Sequence, residues 1–544
     1  MLEAEEASAR EGASLEAPRG HARVARAEAI MTVAAHEPSG FEGVLVLVEV
    51  DIRRGIPQVD LVGLAEGAVR EARERVRAAV RNAGFEFPQD RVLVSLVPAD
   101  LPKEGSAYDL PIALAVLGAA GLLPDPGRPF LALGELGLEG SVRPVRGVLP
   151  AVAAGLKAGI EGFIVPRANV EEAMAVGRGV IHGIGALSEA AETLVRLREG
   201  RDPEPRRPRE AQPAQGAEAG DLSEIRGLGR ARRALEIAAA GGHHLLLFGP
   251  PGSGKTMVAR RLPTILPDLR EEEAVAVAKI QSLAGLLGAD AGLPRRPPFR
   301  APHHSSSLEG LVGGGGRLGP GEASLAHRGV LFVDEAPEFH RDALQALREP
   351  LEEGAVSLAR AGRTARLPAD FQLVMAANSC PCGNLGREGR ACVCSPQEIQ
   401  RYWRRLGGPL LDRIDLRVPL RPVDARELLG PAGETSDAVR LRVAAARSLQ
   451  SRRYEGFGFD RNGRIPAGLI ERFCALDAEA SRALAVAVEK LSLSSRACHS
   501  VLRIARTIAD LSDPPGAVAI GEAALLEAVQ HRRYGDGDFF WKEA

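Results

Sequence analysis

Aromatic residues and long apolar runs are scarce in this chain. Only 4% of its 544 residues are Phe, Trp or Tyr, so we do not expect rows of exposed rings that stack on nucleic-acid bases. No run of about 18 apolar residues occurs, which excludes a conventional membrane-spanning helix. The N-terminus, MLEAEEASAR, is acidic and lacks an apolar core, which excludes a secretory signal. We therefore expect a cytoplasmic location and no membrane partner.

An excess of one charge is also absent. Lys and Arg number 69, and Asp and Glu number 71, for a net charge of -2. This balance excludes a basic coat protein, so any nucleic-acid site must be a local patch such as a pore or a groove. There are only six cysteines, and four of them fall between 380 and 394. Such clustering favours one metal or redox site over a disulfide framework.

The length predicts three or four domains. The residues between 199 and 220 are mostly Pro, Gly, Gln, Ala and charged residues, a composition typical of a flexible linker. We divide the chain into an N-terminal extension (1–28), a domain of alternating strands and helices (29–198), the linker (199–220), a nucleotide-binding domain (221–421) and a helical region with a tail (422–544). In the first domain the patterns predict strands at 44–50, 91–96 and 162–165, and helices at 67–84 and 110–123.

A phosphate-binding loop is the strongest motif. Residues 244–256 read HLLLFGPPGSGKT, an apolar strand that enters G-x-x-x-x-G-K-T before a helix. Glycines let backbone N–H groups approach phosphates, and the helix adds its positive dipole end. Lys255 would reach the outer phosphates, and the Thr256 hydroxyl would bind Mg²⁺. The predicted nucleotide-binding residues are Gly249, Pro250, Pro251, Gly252, Ser253, Gly254, Lys255, Thr256 and Asp334.

Two further strands end in polar residues. The sequence VLFVDE at 330–335 predicts a buried strand that ends in two acids. Asp334 would hold Mg²⁺ through water, and Glu335 would polarise the attacking water. FQLVMAAN ends at Asn378, which is suited to sensing the terminal phosphate. For Asn378 the alternative is a turn-forming residue.

Arginines follow in two segments. PLLDRIDL at 409–416 places Arg413 between two acids, and 492–511 predicts a helix that carries Arg496, Arg503 and Arg506. An arginine that reaches a neighbour's ATP would stabilise charge in the transition state. The alternatives are a weak surface ion pair for Arg413 and a solvated basic face for the helix.

The four clustered cysteines read C-x-C-x9-C-x-C: Cys380, Cys382, Cys392 and Cys394. Four thiolates this close in sequence are able to surround one tetrahedral Zn²⁺, although C-x-C is tighter than the usual spacing. We favour structural zinc over free thiols or a redox pair. Cys474 and Cys498 are expected to be small core residues.

Together these segments resemble the magnesium-chelatase-like AAA+ ATPases, in particular the bacterial YifB/ComM family. The stretches that carry the resemblance are RALEIAAAGGHHLLLFGPPGSGKT, FRAPHHSSS, GEASLAHRGVLFVDE, AANSCPCG, GPLLDRIDL and SSRACHSVLRIARTIADL. The resemblance implies a multidomain α/β protein with a Lon-protease-like N-terminal α+β domain, a P-loop AAA+ α/β core with magnesium-chelatase-type inserts, and a C-terminal helical lid. It implies that Asn378 is sensor 1, Arg413 the arginine finger and Arg496 sensor 2.

The resemblance also implies a mode of action. Finger and sensor act across a subunit boundary, so the family works as a homo-oligomeric ring, usually a hexamer, with ATP and Mg²⁺ between protomers. ComM-type proteins resemble DNA motors that promote branch migration in natural transformation, with single-stranded or branched DNA as partner. The alternatives are a magnesium-chelatase or MoxR-like remodeller of a protein or metal-insertion client, and an ATP-regulated scaffold.

Local patches are the candidates for DNA contact. Residues 354–373 predict a β-hairpin with Arg360 and Arg363 near its tip, which six subunits would place in a pore. The glycine-rich segment 282–322 holds Arg295, Arg296 and Arg300, as well as His303 and His304, which we take as loop or pore residues. The alternative is two solvated loops.

The Lon-like domain raises the question of proteolysis. A Ser–Lys dyad requires both partners in reach. Ala107 stands where the nucleophile is expected, one position after Ser106, and Leu149 and Ala151 fill the candidate lysine positions. Lys157 lies about a helical turn or more beyond them. We expect a scaffold without peptidase activity.

Overall fold

The computed structural model describes residues 31–65, 67–200, 220–288, 292–316, 318–360, 363–387, 389–512 and 518–532. The predicted N-terminal extension, nearly all of the predicted linker and the C-terminal tail lie outside these residues. Within the described ranges, no helix combines the length and apolar character that crossing a membrane requires.

The N-terminal region contains a seven-stranded mixed sheet with helices on both faces, and a separate two-stranded sheet. Its strands are β1 (Val33–Glu37), β2 (Val44–Arg53), β3 (Gln58–Val62), β4 (Arg91–Val97), β5 (Phe130–Ala132), β6 (Glu135–Leu136), β7 (Val142–Arg143), β8 (Gly162–Pro166) and β9 (Val180–Ile184). The helices are α1 (Gly67–Asn82), α2 (Asp109–Ala119), α3 (Val148–Lys157), α4 (Val170–Met174) and α5 (Ala190–Glu199). The sheet order is β3-β4-β2-β1-β5-β8-β9, and β6 pairs separately with β7.

The five elements predicted in this region are confirmed, with shifted ends. Strand β2 runs on to Arg53 because its polar second half stays paired with β4. Helix α2 is apolar on all sides and is buried as a core helix. It stops at Ala119, short of the predicted end, because Gly121 adopts a left-handed conformation with φ 71°.

The central region contains a five-stranded sheet and two separate two-stranded sheets. Its strands are β10 (Leu245–Phe248), β11 (Phe299–Arg300), β12 (Gly313–Gly314), β13 (Gly319–Pro320), β14 (Val330–Val333), β15 (Ala355–Arg360), β16 (Arg363–Pro368), β17 (Gln372–Ala377) and β18 (Leu416–Pro419). The two-stranded sheets pair β12 with β13 and β15 with β16. The helices are α6 (Gly229–Gly241), α7 (Lys255–Ile265), α8 (Glu271–Ala284), α9 (Leu308–Val312), α10 (Glu322–Leu325), α11 (Arg341–Ala346), α12 (Arg348–Glu353), α13 (Pro396–Arg404) and α14 (Gly408–Leu411).

All neighbours in the order β11-β14-β17-β10-β18 are parallel. Strands β10, β14 and β17 are buried along their whole length, which explains their uninterrupted apolar runs. In a parallel sheet the carboxyl ends of the strands share one edge. The loops after β10, β14 and β17 therefore meet at that edge.

The C-terminal region is helical. It contains α15 (Ala425–Leu428), α16 (Ser436–Arg453), α17 (Ile470–Phe473), α18 (Ala478–Leu491), α19 (Ser495–Leu511) and α20 (Glu522–Arg532). Its apolar side chains, such as Val443 and Ile504, share one core with Leu235 of α6 and Val258 of α7. Cys474 belongs to this core and Cys498 packs against it, as predicted. The helical region therefore covers one face of the parallel sheet.

The N-terminal region docks on the central region through α8. Leu149, Ala175 and Ala278 form a small shared core. Beside it, the Ser282 hydroxyl donates a 2.5 Å hydrogen bond to Glu172, and the Lys279 ammonium lies 5.1 Å from the ring centre of Phe41. Polar and apolar contacts thus join the two regions.

Candidate functional site

The phosphate-binding loop lies between β10 and α7 at the carboxyl edge of the sheet. Gly252 and Gly254 adopt left-handed conformations, with φ of 82° and 85°, and a Cβ on Gly252 would meet no atom within 4 Å. Gly249 lies so close to the Leu420 carbonyl that a side chain would collide with it. The Ser253 hydroxyl is buried and has no hydrogen-bond partner among the described residues. Open space over Gly252 and an unpaired polar group suit the phosphates of a nucleotide.

Lys255 connects this loop to Asn378, which follows β17, a neighbour of β10 in the sheet. Its ammonium donates to the carbonyls of Gly249 (2.8 Å) and Pro250 (3.0 Å) and to Asn378 Oδ1 (3.1 Å). Burial lowers the pKa of Lys255 below its ordinary value. The amide of Asn378 therefore has a specific partner in the loop, which is more than the alternative of a turn-forming residue requires.

The two predicted Mg²⁺ ligands are already in contact. Thr256 Oγ1 donates to Asp334 Oδ2 at 2.8 Å, and the Glu335 N–H donates to the other carboxylate oxygen at 2.9 Å. A hydroxyl and a carboxylate are oxygen ligands of the kind Mg²⁺ prefers, so the donor set fits the ion. We refer to Lys255, Thr256, Asp334, Glu335 and Asn378 as the P-loop group.

Glu335 contacts a histidine, which the sequence did not reveal. The backbone of Glu335 itself is left-handed, with φ 49°, an unusual conformation for a residue other than glycine. His304, in the loop after β11, places Nδ1 3.7 Å from Glu335 Oε2. His303 instead contacts the Ser305 hydroxyl at 2.8 Å. The two histidines were expected to be loop or pore residues, but His304 lies beside the predicted catalytic carboxylate because β11 and β14 are adjacent strands.

Arg413 and Arg496, which we call the arginine pair, meet on one carboxylate. Both guanidinium groups bind Glu352 at the end of α12, Arg496 at 3.1 Å. The Arg413 side chain is 7% exposed and that of Arg496 is 47% exposed. Burial acts to raise the pKa of Glu352, but the two arginines outweigh burial and hold it below its usual value. Within the described ranges, neither arginine bonds to the P-loop group.

The rest of helix α19 is not the basic solvated face that was the alternative reading. Arg506 is buried and bonds to Asp510 at 2.9 Å, and Arg503 donates to the Ile465 carbonyl at 2.8 Å. These two arginines therefore stabilise the helical region. Of the three arginines considered on this helix, only Arg496 contacts Glu352 together with Arg413.

The four cysteines of the predicted cluster converge in the loop between β17 and α13. Their sulfur atoms all lie within 4.8 Å of one another, and none forms a disulfide. Cys380 is buried, and burial raises the pKa of its thiol to about 12. A backbone N–H of Asn384 lowers the pKa of Cys382 to about 6. We call Cys380, Cys382, Cys392 and Cys394 the cysteine cluster; its donor set is compatible with Zn²⁺.

The predicted hairpin is formed by β15 and β16, which pair antiparallel up to Arg360 opposite Arg363. Arg360 is exposed, whereas Arg363 forms an ion pair with Glu104 of the N-terminal region. In the insert, Arg300 forms a bidentate pair with Glu322 (2.6 and 2.8 Å). Arg296 lies 3.4 Å from Asp268. Of these predicted DNA-contacting arginines, only Arg360 combines exposure with a place at the hairpin tip.

The residues considered for a protease dyad have other partners. The Ser106 hydroxyl donates to Glu135, and the Lys157 ammonium donates to Glu42 at 2.6 Å. Leu149 and Ala151 are fully buried in α3. No lysine is paired with Ser106 among the described contacts, and the absence of peptidase activity stays a prediction.

Comparison with known protein families matches three successive parts of the chain. Residues 48–169 match the family described as subunit ChlI of Mg-chelatase. Residues 221–428 match magnesium chelatase, subunit ChlI, and residues 433–532 match the C-terminal part of the same subunit. The three matches together cover most of the sequence.

Individual relatives extend over nearly the whole chain. The protein YifB of Escherichia coli is 42% identical over 491 residues, which are 90% of this chain and 94% of YifB. The competence protein ComM of Haemophilus influenzae is 42% identical over 509 residues, 90% of this chain and 97% of ComM. The Lon protease of Geobacter metallireducens is 26% identical over 167 residues, 29% of this chain and 20% of that protein. The chain therefore belongs to the YifB/ComM family of magnesium-chelatase-like AAA+ proteins.

Proposed function

We propose that this protein is an ATP-dependent, ring-forming DNA motor of the YifB/ComM type that acts in the cytoplasm. Its activity would be that of a helicase in branch migration, during homologous recombination in natural transformation. The observation that carries the proposal is the P-loop group, five residues in the segments that follow β10, β14 and β17 and meet at one edge of the parallel sheet.

Each member of the P-loop group has a role that its contacts support. The backbone N–H groups of the loop and Lys255 bind the phosphates of ATP. Thr256 and Asp334 hold Mg²⁺, which supplies charge neutralisation at the phosphates. Glu335 orients and polarises the attacking water, and Asn378 positions it relative to the terminal phosphate. Structural Zn²⁺ in the cysteine cluster completes the proposed set of cofactors.

Support for a ring comes from the arginine pair. An arginine that stabilises the transition state must reach the phosphate, yet Arg413 and Arg496 bind Glu352 and have no bond to the P-loop group of their own chain. A head-to-tail contact between subunits brings the arginine pair of one to the nucleotide of the next, and such contacts close into rings. We propose a homohexamer with one ATP between each two protomers.

Support for DNA as the partner comes from the hairpin and from a relative. ComM of Haemophilus influenzae is named a competence protein. Arg360 is exposed at the hairpin tip, and Arg363 lies opposite it. In the proposed ring, these two arginines of each subunit follow the phosphates of a strand in the pore. Arg363 reaches DNA when a phosphate replaces the carboxylate of Glu104.

Steady-state ATP hydrolysis with and without single-stranded and forked DNA tests the proposal, and Glu335→Gln serves as the blank. We expect hydrolysis that DNA stimulates, no stimulation in the blank, and ATP-dependent displacement of a strand from a three-way junction. A rate of ATP hydrolysis that neither single-stranded nor forked DNA changes, with no strand displacement, would refute the DNA motor. The result would then favour a magnesium-chelatase or MoxR-like remodeller of a protein or metal-insertion client, which the present observations do not favour.

A further inference from the structure

The cysteine cluster lies against the nucleotide site. Cys380 is the second residue after Asn378, whose amide accepts a hydrogen bond from Lys255. Gly383, inside the cysteine loop, is buried with φ 74°, and a Cβ there would lie only 2.8 Å from the side chain of Pro251. The loop that contains the cysteines thus touches the phosphate-binding loop and continues from the strand that carries Asn378.

The sulfur positions match a tetrahedral zinc site. Four sulfurs about 2.3 Å from one Zn²⁺ lie about 3.8 Å from one another. The observed Sγ–Sγ distances are 3.4 Å from Cys380 to Cys382, 3.7 Å from Cys382 to Cys392, and 3.6 Å from Cys392 to Cys380. All four sulfurs, including that of Cys394, lie within 4.8 Å of one another. A disulfide would engage only two of the four, whereas one ion engages them all.

The loop has little regular structure of its own. Between β17 and α13 the described residues form turns but no helix or strand. At its start Cys380 is buried in the core and the Trp403 indole donates to the Ser379 carbonyl at 3.2 Å. Leu385, Cys392 and Cys394 are only partly buried against the same core. A metal ion that joins both cysteine pairs would fix the distal half of the loop to this base.

We propose that the cysteine cluster binds Zn²⁺ and that this ion, by fixing the loop, holds Pro251 and Asn378 in place, so that ATP hydrolysis depends on the metal. The proposal rests on the proposed ATPase function for its second half. Loss of zinc through chelation would release the loop from the phosphate-binding loop. The cluster then acts as a metal-dependent support of the nucleotide site.

Metal analysis of the purified full-length protein tests the first half. We expect about one equivalent of zinc per chain, lost in Cys392→Ser and kept in Cys498→Ala, a cysteine in the helical region. Exchange with Co²⁺ should give the absorption of a tetrahedral thiolate site. Less than about half an equivalent of zinc, iron in its place, or equal zinc in both variants would overturn the site.

ATP binding and hydrolysis without DNA test the second half. Removal of zinc should lower hydrolysis about 10-fold, and added Zn²⁺ should restore the stripped wild type but not Cys392→Ser. Gly383→Ala gives a variant with all four cysteines. We expect it to keep zinc and lose ATP affinity, because its methyl group pushes against Pro251. Unchanged ATP binding and hydrolysis in the stripped protein and in Gly383→Ala would overturn the coupling. If the untreated protein does not hydrolyse ATP, the proposed ATPase function is refuted. The zinc content of the same protein still tests the metal site independently.

Discussion

The strongest prediction concerns the arginine pair and follows from where its partners lie. Arg413→Ala should lower kcat about 1,000-fold, which corresponds to about 4 kcal/mol of transition-state stabilisation. ATP affinity should change little, because the proposed phosphate-binding residues, among them Lys255, are intact in every subunit. Glu335→Gln should also abolish hydrolysis. In the proposed ring, Glu335 of one subunit and Arg413 of its neighbour serve the same ATP.

Mixing the two inactive variants tests the arrangement. In rings assembled at random from equal amounts, about a quarter of the contacts combine an intact arginine pair with an intact Glu335. The mixture should therefore recover up to about a quarter of the wild-type rate. ATP hydrolysis is measured after subunit exchange, at constant total protein. A mixture no faster than the mean of the two variants would refute action across the subunit boundary.

The shared carboxylate supplies a matched control. Arg413 and Arg496 bind the same Glu352, so they belong to the same face of the subunit and serve the same neighbour. A mixture of Arg413→Ala with Arg496→Ala should recover no activity, because every contact lacks one arginine. Recovery in that mixture would show that the two arginines serve different nucleotides.

Three further predictions follow. His304→Ala should lower kcat about 10- to 100-fold with an unchanged KM for ATP, because Glu335 loses a positioning contact; the matched variant His303→Ala should leave both constants as they are. Asp370 is buried against several arginines that lower its pKa strongly, so Asp370→Asn should reduce the free energy of unfolding by about 3–5 kcal/mol in denaturant titrations. This deficit should be largest near pH 7 and shrink as the pH falls below about 4, the ordinary pKa of an Asp carboxyl. Below that pH the unfolded wild type binds a proton at this carboxyl, whereas the folded protein, in which the pKa is lowered, does not. Arg360→Ala combined with Arg363→Ala should keep basal hydrolysis and lose stimulation by DNA; full stimulation in that variant would remove the hairpin from the proposed DNA path.

Much of the nucleotide site was predictable because its parts are local. The phosphate-binding loop is continuous in sequence, and Gly252 and Gly254 have left-handed conformations that glycine adopts readily. Asp334 and Asn378 each follow a buried apolar strand, and parallel strands place such residues at one edge. The hairpin was also predictable, since two strand-like runs flank a short turn.

Other parts were not predictable because they depend on packing between distant segments. Nothing in the sequence around Arg363 indicates that it pairs with Glu104, which lies 259 residues away in the chain. A solvated basic face was the alternative interpretation for the helix that carries Arg506, but Arg506 is buried with Asp510 because helix α19 packs in the core of the helical region. Helix periodicity gives the spacing of side chains along one helix, but not which neighbouring element covers each face.

The sequence by itself determined the family, the nucleotide-binding motif and the cysteine cluster, because each is encoded in short runs of residues with fixed spacing. Only the tertiary structure decided that Glu352 receives the arginine pair, that His304 lies beside Glu335, and that Gly383 packs on Pro251. These contacts join loops from different strands and helices. Their distances are set by strand order and core packing, which no local pattern specifies.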